Sequence, residues 1–93
     1  MKQFTLVQLF SIVDGRLSTE MKDIYDMLNH IFNANLFTHE LPEAFNKLKK
    51  LKPDWFIEVQ KDLKNMGATK DVNFETCFDL ISKNNKIYNI SQL

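Results

Sequence analysis

A chain of 93 residues with 44% hydrophobic side chains, eight Phe and one Trp has the composition of one small folded domain and not of a disordered segment. At this length folding buries only about 60–65% of the surface the unfolded chain exposes, so large aromatic side chains must make the core dense. Twelve basic and twelve acidic residues cancel, which argues against a protein built on long-range attraction to nucleic acid or anionic membrane, and equally against an acidic nucleic-acid mimic.

The single cysteine, Cys77, has no internal disulfide partner, and a cytoplasmic location is the simpler expectation. The apolar run near the start is interrupted by Gln3, Gln8 and Ser11, so it reads as the first structural element and not as a signal peptide. No stretch approaches the roughly 20 apolar residues that span a bilayer, and no membrane partner is expected.

Thr5-Leu6-Val7-Gln8 has the spacing of a capping box and predicts a helix from about Leu6 to Val13. Its stripe is Leu6, Leu9, Phe10 and Val13, with Val7 and Ile12 off it, so the helix is apolar nearly all round. Such a helix is either a core element or one that also meets a second copy or another protein. Asp14-Gly15 ends it. Ser18 is positioned to cap a second helix, in which Met21, Ile24, Tyr25, Leu28, Ile31 and Phe32 recur on one face opposite Asp23, Asp26 and His30. The Asn33-Ala34-Asn35 segment closes this second helix, the clearest in the chain.

Thr38 or His39 is expected to cap a third helix, which tolerates Pro42 in its first turn and buries Leu41, Ala44, Phe45, Leu48 and Leu51. Lys52-Pro53 breaks it and starts a fourth, with Pro53 at the first helical position and Trp55, Phe56, Val59, Leu63 and Met66 on one face while Ile57 points away. Gly67 stops the fourth helix, and Asn73 caps a fifth carrying Phe74, Cys77, Phe78 and Ile81. The tail KIYNISQL favours extended backbone, able to pair with Lys2 to Phe4 or to pack as an arm. The expected fold is all-α: one domain over residues 1–93, about five helices with the second central, and a short two-stranded pairing of the termini.

Gly15-Arg16-Leu17, Tyr25-Asp26, Leu28-Asn29, Leu36-Phe37-Thr38-His39 and Leu41-Pro42, taken in this order, resemble the pattern of a family of small phage and prophage-type proteins of unknown function. The resemblance covers the first half of the chain and fades after Lys50. It implies a small accessory protein in a bacterial cytoplasm, acting during phage infection. Glu43 stands where the family pattern has a basic residue, so no charge-based ligand site is carried over.

Arg16, Asp26, His30 and His39, with Asn29 and Thr38, are the polar residues inside the most organised stretch. They read as an internal clasp, with Asp14 or Asp26 answering Arg16, or as a small-ligand or anion site built on Arg16 and His39. Asp26 and His30 lie one helical turn apart but lack a strong third ligand, and Cys77 is set between Phe74 and Phe78 as a core thiol. No metal site, catalytic residue or cofactor is therefore expected. Lys47, Lys49, Lys50 and Lys52 are candidates for phosphate contact, although they spread around the helix beside Glu40 and Glu43. The helices lack the short connection and basic reading helix of a helix-turn-helix protein.

Val7, Ile12 and Ile57 are surplus apolar positions, with Trp55 and Tyr88 as anchors of a protein-binding surface. The resulting expectation is a non-enzymatic accessory protein that binds another protein, such as a host defence or regulatory factor, with self-association as a further outcome. The alternative is a nucleic-acid or nucleotide binder using Lys47 to Lys52.

Overall fold

A computed structural model describes residues 1–93. The elements in order are strand β1 (Lys2–Thr5) and helices α1 (Leu6–Val13) and α2 (Met21–Phe32), then a 3-10 turn (Thr38–Glu40). Helices α3 (Leu41–Leu51), α4 (Asp54–Met66) and α5 (Phe74–Ser82) and strand β2 (Ile87–Ile90) follow. The expected all-α architecture with paired termini is the one observed.

The capping box forms as the spacing predicts. Gln8 Oε1 accepts from the Thr5 backbone N–H at 2.9 Å, and Thr5 Oγ1 accepts from the Gln8 N–H at 3.3 Å. This turns the chain directly from β1 into α1. The two strands pair antiparallel with Phe4 opposite Tyr88, and because side chains alternate across a strand both rings lie on the buried face. The chain termini are thereby held together, and the Leu93 N–H donates to the Ile31 carbonyl at 2.8 Å.

Helix α1, and not α2, is the centre. It packs against α2, α4, α5 and β1, and Leu6, Leu9, Phe10, Ser11, Ile12 and Val13 are all buried. An eight-residue helix with so few polar side chains satisfies its surfaces only when neighbours cover several of them. Each fully buried Leu, Ile or Phe contributes about 1.5–3 kcal/mol relative to exposure, which makes this short helix the densest contributor to stability. All 22 buried apolar residues join one cluster.

Three starts differ from the sequence expectation. Thr38 and His39 form a 3-10 turn with Glu40 and do not cap α3, which follows Glu40 with no side-chain cap. Ser18 does not cap α2, which begins after Glu20 with no side-chain cap. Instead the Ser18 N–H donates to Ser11 Oγ at 2.7 Å, the two hydroxyls pair at 2.9 Å, and Ser18 Oγ donates to the Val7 carbonyl. Ser11 is fully buried on α1, and a hydroxyl there must find a partner, so the requirement of the core outweighs a local cap. Pro53 is not the first helical residue either: it precedes α4 at ψ 160°, because Lys52 ends α3 in the left-handed region at φ 45° and the chain needs one extended residue to change direction. The expected left-handed stop at Asn33 is present at φ 50°, and Gly67 ends α4 at φ 79°. Asn73 caps α5, its Oδ1 accepting from the Thr76 N–H at 2.9 Å.

Candidate functional site

The chemistry nearest to a built polar site lies under Gly15, where α1 ends. Asp14 is buried, and the turn through Gly15 at φ 99° brings Arg16 back across it. Arg16 Nε donates to Asp14 Oδ1 at 2.7 Å and Nη2 donates to Oδ2 at 3.1 Å, a two-pronged pairing that suits a planar guanidinium. The remaining donors reach the carbonyls of Val72 at 2.7 Å and Thr69 at 3.1 Å, in the loop before α5. The guanidinium lies 5.6 Å from the centre of the Phe10 ring. Hydrogen bonding to Asp14 raises the Arg16 pKa further above its already high value, more than burial lowers it. Cys77 Sγ sits beside this array, buried and facing the Thr69 carbonyl at 3.4 Å. Every strong donor is directed into the protein, so the clasp fastens the α1–α2 turn to the α4–α5 loop.

The other polar candidates do not join Arg16. His30 Nε2 donates to the Ile90 carbonyl at 2.7 Å, supporting β2 from α2. It shares a shallow, amide-rich depression with Asp26, Asn29 and Asn33. His39 is exposed and stacks on Phe37 at 5.9 Å between ring centres. Arg16 is thus paired with Asp14 while His39 stacks on Phe37 on the 3-10 turn, and no hydrogen bond or common groove brings the two together. No group of three or more His, Cys, Asp or Glu side chains is placed to hold a metal ion.

The lysines diverge as well. Lys47 lies over the Phe32 ring at 5.6 Å and lines a groove with Glu40 and Glu43, whereas Lys49 lines a separate groove with Pro42 and Phe45. Successive residues of a helix project about 100° apart, so Lys49 points to a different side of α3 from Lys47 and Lys50, which lie three residues apart on one side, and Lys52 sits beyond the helix in its left-handed stop.

Of the protein-binding candidates, Ile12 is 1%, Tyr88 2% and Trp55 7% exposed. These three are corrected to core residues. Ile12 is off the narrow α1 stripe, but α1 is covered on several sides; Trp55 belongs to the inward face of α4; and Tyr88 is on the buried side of β2. Val7 is half-buried against the core, leaving Ile57 as the exposed member. Tyr88 nevertheless holds a polar contact, its hydroxyl donating to Asp62 Oδ2 at 2.6 Å. Lys86 joins Asp62 and Glu58, each at 2.9 Å. Burial by itself raises the Asp62 carboxyl, but the Tyr88 hydroxyl and the Lys86 ammonium outweigh it and hold it below its ordinary value. Burial, then the hydrogen bond to Asp62, pushes the Tyr88 phenol up.

The surface left over lies elsewhere. Leu17 is 54% exposed and Phe78 39% exposed, and with the half-buried Phe74 they line a broad open groove of about 550 Å³ between the entry to α2 and the outer face of α5. Thr19, Glu20 and Asp23 form its polar side. Leu17 also lines a second groove with Pro42 and Phe45 whose floor reaches Ile12, so it stands as a ridge between the two. The sequence reading missed this surface because Phe78 shares the apolar spacing of the buried Cys77 and Ile81, and Leu17 lies in a turn. The one available signal was that a leucine follows an arginine whose own side chain is needed inside.

The family comparison adds an assignment. Residues 4–62 match the model of a domain of unknown function, DUF7736. The chain belongs to the DUF7736 family. The matched span runs from β1 into α4 and includes the Leu17 ridge and its carboxylates, while Phe74, Phe78 and the carbonyls that receive Arg16 lie beyond it. No curated protein and no solved structure matches the chain.

Proposed function

We propose that this DUF7736 protein acts by binding another protein through the apolar surface around Leu17, without catalysis of its own. The observation that carries the reading is the grouping of Leu17, Phe74 and Phe78 around one groove. Single exposed apolar residues are ordinary on a folded protein, but several large ones lining a common depression with a polar edge are the usual make-up of a recognition surface. The reactive groups point the same way by their engagement: Arg16 and Asp14 neutralise each other and Cys77 is buried against backbone carbonyls. The resemblance of the first half to phage and prophage-type proteins supports a more specific form of the proposal, an accessory protein that meets a host defence or regulatory factor in a bacterial cytoplasm.

Site-directed cross-linking tests this. A photoreactive amino acid in place of Phe78 is expected to give an adduct of discrete mass with one partner protein in cells. The same group at Ile57, exposed on α4, is expected to give none. Equal adducts from both positions, or none from position 78, would remove the groove as the working surface.

A further inference from the structure

The groove beside Leu17 also carries information about the partner, resting on the protein-binding proposal above. Its charged lining residues are both acidic, Glu20 and Asp23, and Glu75 stands exposed in the first turn of α5 next to Phe74. Two helix N-termini, those of α2 and α5, open toward the same region, and each contributes about half a positive charge. Counted with the exposed Lys22 that lies between Glu20 and Asp23 in sequence, the three carboxylates still exceed one lysine and those two half charges by about one unit, so the rim is net negative.

The nearest cations in sequence do not line the groove. Lys22, beside Asp23, is exposed outside the lining, and Arg16, which immediately precedes Leu17, turns its guanidinium away into the Asp14 carboxylate at 2.7 Å. Lys49 lines the other groove, across the Leu17 ridge. Asp23 receives the Thr19 hydroxyl at 2.5 Å on Oδ2, which fixes the carboxylate at the groove wall. Its other oxygen is left for a partner. The whole chain is neutral, so a one-signed rim is a local arrangement and not a reflection of overall acidity.

We infer that the groove accepts a basic amphipathic segment of a partner protein: apolar side chains seated between Leu17, Phe74 and Phe78, with Lys or Arg reaching Glu20 and Asp23. An apolar core with charge at its edge places most of the affinity in the buried side chains and the choice of partner in the rim. A helix presenting residues i, i+3, i+4 and i+7 is the form that delivers both from one face.

The test uses three synthetic helical peptides against the full chain, followed by fluorescence anisotropy. All three carry Leu at i, i+3, i+4 and i+7; the flanking positions are Lys in the first, Glu in the second and Gln in the third. The Lys peptide is expected to bind about tenfold tighter than the Glu peptide at low salt, the scale of a few exposed ion pairs gained against the same number opposed. The preference is expected to shrink as salt is raised. Glu20→Lys is expected to narrow it without abolishing binding of the Gln peptide. Equal binding of all three peptides would overturn the basic-partner inference while leaving an apolar docking groove in place. Preference for the Glu peptide would overturn it as well. Failure of every peptide would remove the groove reading itself, and a native mass showing that the chain occupies the groove with a second copy would replace the partner.

Discussion

Removing one hydroxyl, with Tyr88→Phe, probes how firmly the C-terminal strand is held. Tyr88 is buried, so the ring and its packing survive the change, and what is lost is the O–H donated to Asp62 Oδ2 at 2.6 Å. A hydrogen bond to a charged acceptor contributes about 1.5–3 kcal/mol. Asp62 keeps Lys86 at 2.9 Å, and its side chain is a quarter exposed to water, so the lower part of that range applies, about 1.5–2 kcal/mol. For a domain of this size that corresponds to a fall in Tm of roughly 5–15 °C.

The pH dependence is fixed by the direction of the Asp62 shift. The folded-state pKa lies below the ordinary 3.8, so the stabilisation is fully present above that value and is lost as pH falls through the lowered folded pKa. Thermal melts of the wild type and Tyr88→Phe by circular dichroism should therefore differ clearly at neutral pH and converge when the buffer is taken well below 3.8. A variant as stable as the wild type at neutral pH, or a difference that grows on acidification, would refute the coupling of β2 to α4 through Asp62.

Other expected outcomes follow from single features of the fold. Trp55 Nε1 is buried without an acceptor, and an unmet donor of this kind costs about 1–3 kcal/mol, so Trp55→Phe should change stability in urea by less than about 1.5 kcal/mol despite the lost ring volume; a loss above about 3 kcal/mol would show that the donor is satisfied. Arg16→Met should lower the Tm by leaving the Asp14 carboxylate buried and unpaired, and adding Asp14→Asn should recover part of the loss; strictly additive losses would contradict the clasp. Lys52 holds φ 45°, a region that disfavours side chains, so Lys52→Gly should raise stability by about 0.5–1 kcal/mol, and a decrease in the urea midpoint would count against strain at that stop.

The fold was largely written in local signals. The Thr5–Gln8 capping box, the Gly67 stop and the Asn73 cap each depend on residues within a turn of one another, and each appears as the spacing predicts. What local reading could not supply was cover. Ile12 looked available because a helical stripe describes one neighbour, whereas α1 has neighbours on several sides; Trp55 lies on the apolar stripe of α4, and its burial follows from that stripe. Ser18 looked like a cap for the same reason: its demand from buried Ser11, seven residues earlier, exists only once α1 is enclosed.

The candidate surface was the least legible part. Its two walls come from segments more than fifty residues apart, Leu17 to Asp23 and Phe74 to Phe78, and nothing in either segment announces the other. Arg16 was legible in its role, as an arginine needing carboxylate and carbonyl partners, but not in its consequence: it turns inward while Leu17 stays outside, and no Lys or Arg is among the residues lining the groove. The family match ends at residue 62, although β2 completes the terminal sheet and Ile90 is fully buried. The matched segment therefore depends for its core on residues outside the match.

The most direct measurement of the protein-binding proposal is cross-linking from a photoreactive residue at position 78, with and without Leu17→Asp, under conditions where circular dichroism shows both chains folded. Leu17 is a surface side chain in a turn, so the aspartate adds charge to the groove without emptying the core. The account predicts a single partner adduct that Leu17→Asp reduces at least about tenfold, the scale of losing one anchoring side chain at about 1.4 kcal/mol or more. An adduct of unchanged yield in the Leu17→Asp chain would contradict it.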